Sequence, residues 1–279
     1  MKPALAIGRP ALQWAAPRRL VAAVSNAWRT VIVAAVTLTA VFLIKRMYSQ
    51  AGAEDLQWVL APSCWLVSSL GGVPLASGSG AGFISHEYRM VVGPACAGVN
   101  FFIIAILALY FSFQSRFGGL GRKVLWLIQC LCIAYVATVL SNGVRILLAA
   151  HLYSLDIYTG LLTPGRLHRV AGTLIYCASL FALCAVVGVR LRLSRAKPRG
   201  SPQATMGSGS RLARAIPAAC YLGVALGVPL INRAYQREPG RFVEHCVMVI
   251  LVCGSVATCA TLARFAINRL CWGRRMGEP

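Results

Sequence analysis

From Val124 the chain runs 21 residues without a charge before it meets Arg145. Such a run is long enough to cross, as a helix, a hydrocarbon core about 30 Å thick. It is one of six apolar runs, at 30–44, 96–113, 124–144, 170–189, 216–231 and 246–263. In lipid a backbone must pair its N–H and C=O groups internally, so runs of this kind fold as helices. The expected fold class is all-α, a polytopic integral membrane bundle of about six transmembrane helices. The first run is short and extends backward past Arg29, whose side chain can snorkel to the interface. The segment before it is too long for a usual secretory signal, so the run reads as a retained span. Residues 56–70, with Trp58 and Trp65 seven apart, suit a helix at the interface.

Charge orders these runs. Only seven acidic residues face 28 lysines and arginines, a net charge of +21. The basic residues flank apolar runs and form no basic face with interleaved aromatics, which argues for a lipid bilayer and against nucleic acid. With six spans and a cytoplasmic N-terminus, nineteen of the 28 basic residues fall inside and nine outside. The positive-inside rule favours that orientation, with both termini cytoplasmic. The chain divides into a cytoplasmic segment at 1–29, a transmembrane core at 30–190, a flexible basic linker at 191–215 and a C-terminal hairpin with a basic tail at 216–279. No CxxC pair or His/Cys cluster suggests a metal, no cofactor is expected, and SGSGAG at 77–82 lacks the Lys-Ser/Thr of a phosphate cradle.

Chemistry enters at VVGPACAGVNFF, residues 91–102. Gly93-Pro94 breaks the preceding loop, and proline suits a first helical position. Cys96 is then expected in a helix's first turn, where unpaired N–H groups stabilise a thiolate. The same depth recurs on two other spans. Arg145 lies 21 residues beyond Val124, roughly 31 Å along a helix and at the outer edge of the core. His168 stands just before the fourth run, behind Thr163-Pro164, which reads as an N-cap and first-turn proline. Asn142, three residues before Arg145, and Asn100, four after Cys96, are the supporting polar candidates, each expected on its partner's helix face. His151 is a weaker alternative base, and His86 in HEYRM lacks the second histidine of a zinc-protease helix.

A thiol, a base and a fixed cation at one level are the parts of acyl transfer through a thioester. Cys96 attacks a carbonyl, His168 takes the thiol proton and Arg145 stabilises the oxyanion. The stretches PACAGVNFF around Cys96, SNGVR around Arg145 and LHRVAG around His168 resemble the signatures of the exosortase/archaeosortase family, over about residues 30–190. The wording around Cys96 is most similar to the exosortase K type. Where many members have serine after the cysteine, this chain has Ala97. The resemblance implies a cysteine transpeptidase of a bacterial inner membrane, with its active site on the outer face. It also implies partners: exported proteins whose C-terminal sorting signal comprises a short motif, a transmembrane helix and a basic tail, together with an unidentified acyl acceptor. Two other classes stay open: a transporter or channel using Arg145 for an anion, and a noncatalytic membrane assembly protein.

Overall fold

The computed structural model describes residues 15–78, 80, 82–154, 163–194 and 209–276. Among them are helices α1 (Ala15–Tyr48), α2 (Gln57–Gly71), α3 (Val99–Phe113), α4 (Leu120–Ser154), α5 (Pro164–Leu193), α6 (Gly209–Ile231), α7 (Ala234–Arg237) and α8 (Pro239–Met276). Five stretches are long and apolar enough to cross a membrane: Ala27–Tyr48, Pro94–Arg116, Leu120–Tyr153, Pro164–Leu193 and Pro239–Ala263. A sixth apolar stretch, Ala215–Ile231 within α6, is shorter. The architecture is that of an all-α polytopic membrane protein. α1, α4, α5 and α8 overrun their apolar runs in both directions, because arginines and lysines at the ends remain good helix formers. Most of the expected linker at 191–215 lies outside the described residues.

α3 is the central helix. Its sequence, VNFFIIAILALYFSF, is apolar on every side, and twelve of its fifteen residues are buried. A helix apolar all round belongs inside a bundle. α1, α4, α5 and α6 pack against it, while α1, α4, α5 and α8 present valines, leucines and isoleucines outward. The C-terminal hairpin belongs to the same bundle: Tyr221 on α6 donates to the Thr173 carbonyl of α5 at 3.1 Å, and α8 lies along α5.

The segment expected at the interface forms α2 and lies lengthwise along α4. Val59, Leu60, Ser63, Cys64 and Val67 give it one buried stripe at helical spacing. The Tyr135 hydroxyl donates to the Trp58 carbonyl at 2.8 Å. Further along, Leu66 packs over Gly143 and Leu147 over Gly71, so the two helices run in the same direction. Trp65 remains 68% exposed.

One end of the bundle gathers the last turns of α1 and α4 and the first turns of α3 and α5. There Lys45 of α1 donates to the Asn100 side chain at 2.8 Å, and Tyr48 donates to the Pro94 carbonyl at 3.3 Å. At the opposite end, buried Lys123 donates to Thr30, joining α4 to α1. Between α2 and α3 the chain forms an antiparallel sheet of β1 (Ala76–Gly78), β2 (Gly82–Ser85) and β3 (Met90–Val92), in the order β1-β2-β3. Phe83 pairs with Val92 and Ile84 with Val91. Gly78 and Gly82 of the glycine-rich stretch pair across β1 and β2. Gly82 has a φ of +100°, and a Cβ there would lie 2.4 Å from the Val92 carbonyl oxygen. No other residue fits without moving backbone. Gly82→Ala should therefore unseat the sheet while leaving the helices intact. Limited proteolysis in detergent should show new cleavage between β1 and β3, with unchanged helical circular dichroism.

Candidate functional site

The turn before α3, together with α4 and α5, brings polar residues to a single cavity at the end of the bundle. It measures about 760 Å³, and its lining includes Tyr88, Arg89, Val91, Cys96, Arg145 and His168. The three residues singled out for acyl-transfer chemistry therefore share one space, although they are separated by 49 and 23 positions in the chain.

Cys96 is not in the first turn of α3. Pro94–Cys96 form a single 3-10 turn, with the Cys96 N–H donating to the Gly93 carbonyl at 2.8 Å. Gly98 follows at φ +73°, and α3 begins at Val99. The reason for the break lies in what Gly98 touches. A Cβ there would come within 3.0 Å of the Tyr176 hydroxyl and 3.4 Å of the Asn142 side chain. The left-handed glycine lets the chain turn tightly against α4 and α5. It also breaks the helical spacing between Cys96 and Asn100. Asn100 is exposed and accepts from Lys45, so it belongs to the α1–α3 contact and not to the cavity.

Arg145 is the centre of the hydrogen bonding. Its Nη2 donates to His168 Nε2 at 2.7 Å, and its Nη1 donates to the Tyr176 hydroxyl at 3.2 Å. Tyr176 in turn donates to Asn142 Oδ1 at 2.9 Å. Asn142 thus orients the guanidinium through an intervening phenol. Because arginine has no acceptor, His168 Nε2 must present its lone pair to it, and the ring proton of the neutral imidazole sits on Nδ1. Among the described residues no carboxylate lies within ion-pair range of Arg145. Among the described residues two buried donors, Arg145 Nε and Asn142 Nδ2, find no hydrogen-bond partner. Cys96 lines the same cavity as Arg145 and His168.

α5 supplies its share from one stripe. His168, Gly172 and Tyr176 are spaced four apart, so they stack along one helix face. Thr163 caps the helix as the sequence predicts, accepting from the Arg166 N–H at 3.3 Å behind Pro164. This places His168 inside the helix, one turn past its start. Gly172 leaves room for arginine: a Cβ would lie 2.8 Å from Arg145 Nε. The Tyr176 ring stacks on Phe101 of α3, with centroids 4.9 Å apart, and the Arg145 guanidinium carbon lies 5.4 Å from the Tyr176 ring centroid. Tyr176, Gly98 and Gly172 are the site residues that the sequence reading missed. The signal for Tyr176 was its position eight residues beyond His168, and both glycines stand inside the motif stretches already quoted.

His151 also lines the cavity. Its Nδ1 bonds the Leu147 carbonyl at 2.9 Å, and its ring lies 6.3 Å from Tyr88. His86 is exposed between β2 and β3. Among the described residues no three His, Cys, Asp or Glu side chains converge as metal ligands do.

Tyr176→Phe should strip Arg145 of one partner and leave Asn142 Oδ1 unsatisfied in a buried place, costing about 1–3 kcal/mol. Adding Asn142→Ala should cost less than the sum of the two single effects, because both variants break the same bond. Equilibrium unfolding in mixed micelles measures both quantities. No protein family, curated protein or solved structure matches this chain, so its site stands on this geometry.

Proposed function

We propose that the chain is a membrane-embedded cysteine transpeptidase of the exosortase kind. On this reading it cleaves C-terminal sorting signals of exported proteins through a thioester, with its cavity on the outer face of a bacterial inner membrane. The observation that carries the reading is the convergence of Cys96, Arg145 and His168 on one cavity. A nucleophile, a base and a fixed cation are the groups that acyl transfer requires.

The Arg145–His168 bond gives the mechanism its order. With Nε2 accepting from Arg145, His168 has no free Nε2 lone pair for a thiol proton. A substrate carbonyl oxygen entering beside Arg145 draws Nη2 away and releases Nε2. Cys96 then gives its proton to His168, and its sulfur attacks the carbonyl carbon. Arg145, still held by Tyr176, stabilises the resulting oxyanion. Collapse breaks the C–N bond, and the departing amine takes the proton from His168. An acceptor amine, or water, attacks the thioester next, loses its proton through His168 and returns Cys96 as a thiol. Deprotonation is thereby tied to substrate occupancy.

A competing reading assigns Arg145 to anion transport. The absence of a carboxylate partner among the described residues suits that role too. Replacement of Cys96 separates the two. Exported proteins ending in an apolar helix and basic tail should accumulate uncleaved when Cys96→Ala replaces wild type at equal membrane abundance. A hydroxylamine-sensitive adduct should be trapped on the wild type alone. Normal processing by Cys96→Ala would sink the transpeptidase reading and leave the transport reading ahead.

Gly172→Ala offers a finer test. In a helix the change from glycine to alanine normally stabilises by roughly 0.5–1 kcal/mol. Here the new methyl pushes on Arg145 Nε and Cδ. Processing should fall at least about tenfold while the unfolding midpoint holds steady or rises, since a misplacement near 1 Å costs about 10²-fold.

A further inference from the structure

The sheet beside the cavity has an edge that no described residue pairs with. β3 pairs with β2 alone among the described residues, and Met90, Val91 and Val92 make no other backbone hydrogen bonds there. In an antiparallel pair alternate residues turn their N–H and C=O groups away from the partner strand. The buried Val92 turns its carbonyl toward Gly82 of β2, so by alternation Val91 turns its N–H and C=O away from β2, and Val91 lines the cavity together with Cys96, Arg145 and His168. Exposed strand edges are usually short, charged or covered, since they invite another strand. This edge is short, and Val91 is 56% exposed.

We propose that β3 is the substrate dock: an extended peptide segment of the exported protein adds to its free edge as a fourth strand. The proposal rests on the transpeptidase reading and specifies how that site holds its substrate. Chain geometry fixes the consequence. From Val92 only Gly93, Pro94 and Ala95 intervene before Cys96, so a peptide running along β3 passes within a few residues' length of the thiol at about 3.3 Å per residue. Strand addition takes affinity from the main chain and specificity from alternate side chains. With three residues in β3, the dock suits a short motif. A cavity of about 760 Å³ is within the range of pockets that enclose a ligand, about 300–1,000 Å³. A helical occupant would leave the edge groups unpaired, because its own backbone is already bonded.

The wild-type protein in native membranes can be tested with hexapeptide chloromethyl ketones whose side chains are randomised. Cys96 displaces chloride, forming a thioether and releasing the thiol proton, and the alkylated cysteine is counted by mass spectrometry. Pools are made with one backbone nitrogen methylated at a time, and iodoacetamide serves as a control that needs no docking. The expected result is that the peptide pools label Cys96 faster than iodoacetamide. Methylation should slow labelling about fivefold or more at alternate positions and leave the intervening ones and the iodoacetamide rate unchanged. A uniform response to methylation, or none, would overturn strand addition. So would peptide pools that gain nothing over iodoacetamide. Neither result touches the nucleophile, which the processing of exported proteins by Cys96→Ala decides separately.

Discussion

A half-buried guanidinium with no carboxylate partner among the described residues is the constraint on which the rest of this structure depends. Moving such a charge out of water is expensive unless hydrogen bonds replace the lost solvent. Arg145 is held by neutral groups instead, the Tyr176 hydroxyl and His168 Nε2. A carboxylate would have cancelled its charge. A phenol and an imidazole hold it in place and leave the charge available for whatever develops in the cavity. The packing around it follows from that need. Gly172 makes room beside Nε, Gly98 lets the Cys96 turn close over Tyr176, and Phe101 backs the phenol. Substituting any of these neighbours shifts the cation, and so acts on the chemistry of the cavity before it acts on stability.

Helical rise and bilayer thickness made much of this legible in the sequence. Counting 21 residues from Val124 puts Arg145 at the far edge of an apolar core about 30 Å thick whatever the packing, although α4 itself runs on to Ser154, and Thr163-Pro164 marks a helix start by chemistry that acts within one turn. Depth along the bundle axis is therefore readable from a single chain, and Cys96, Arg145 and His168 were found by depth. Position around the axis is not readable in the same way. Asn142 was placed on the Arg145 face by spacing, but its partner is a tyrosine on another helix. Asn100 failed for a local reason: one left-handed glycine at position 98 interrupts the helical count on which the spacing argument relied. The small sheet was hidden because its strands are three and four residues long, too short for alternation to stand out.

The same distinction explains α2. A stripe of Val59, Leu60, Ser63, Cys64 and Val67 beside exposed tryptophans reads equally well as an interfacial helix or as one leaning on a bundle. The deciding information lies elsewhere in the chain, in Gly143 of α4 and the tyrosine at 135. Close helix contact through small residues is how apolar helices associate when lipid offers as good a solvent as protein does. A glycine in the middle of α4 has little other purpose, since it weakens the helix.

The C-terminal hairpin, which lies outside the resembling stretch, is tied to the site by one acidic residue. Glu244 near the start of α8 pairs with Arg166 at 2.9 Å and reaches Arg169 at 3.4 Å. Those arginines bracket His168 on the first turns of α5. Exposed ion pairs contribute little stability, typically about 0.2–1 kcal/mol, so strength is not the point of this one. Its effect is placement. It draws the two charged side chains of that turn toward α8, while His168 turns toward Arg145 on the other side of the helix. Tyr221 adds a second tie by bonding the Thr173 carbonyl one turn further along. The hairpin thus braces the helix that carries the base, from the side opposite the cavity. A unit that sequence resemblance would treat as an appendage is part of what holds the His168–Gly172–Tyr176 stripe against Arg145.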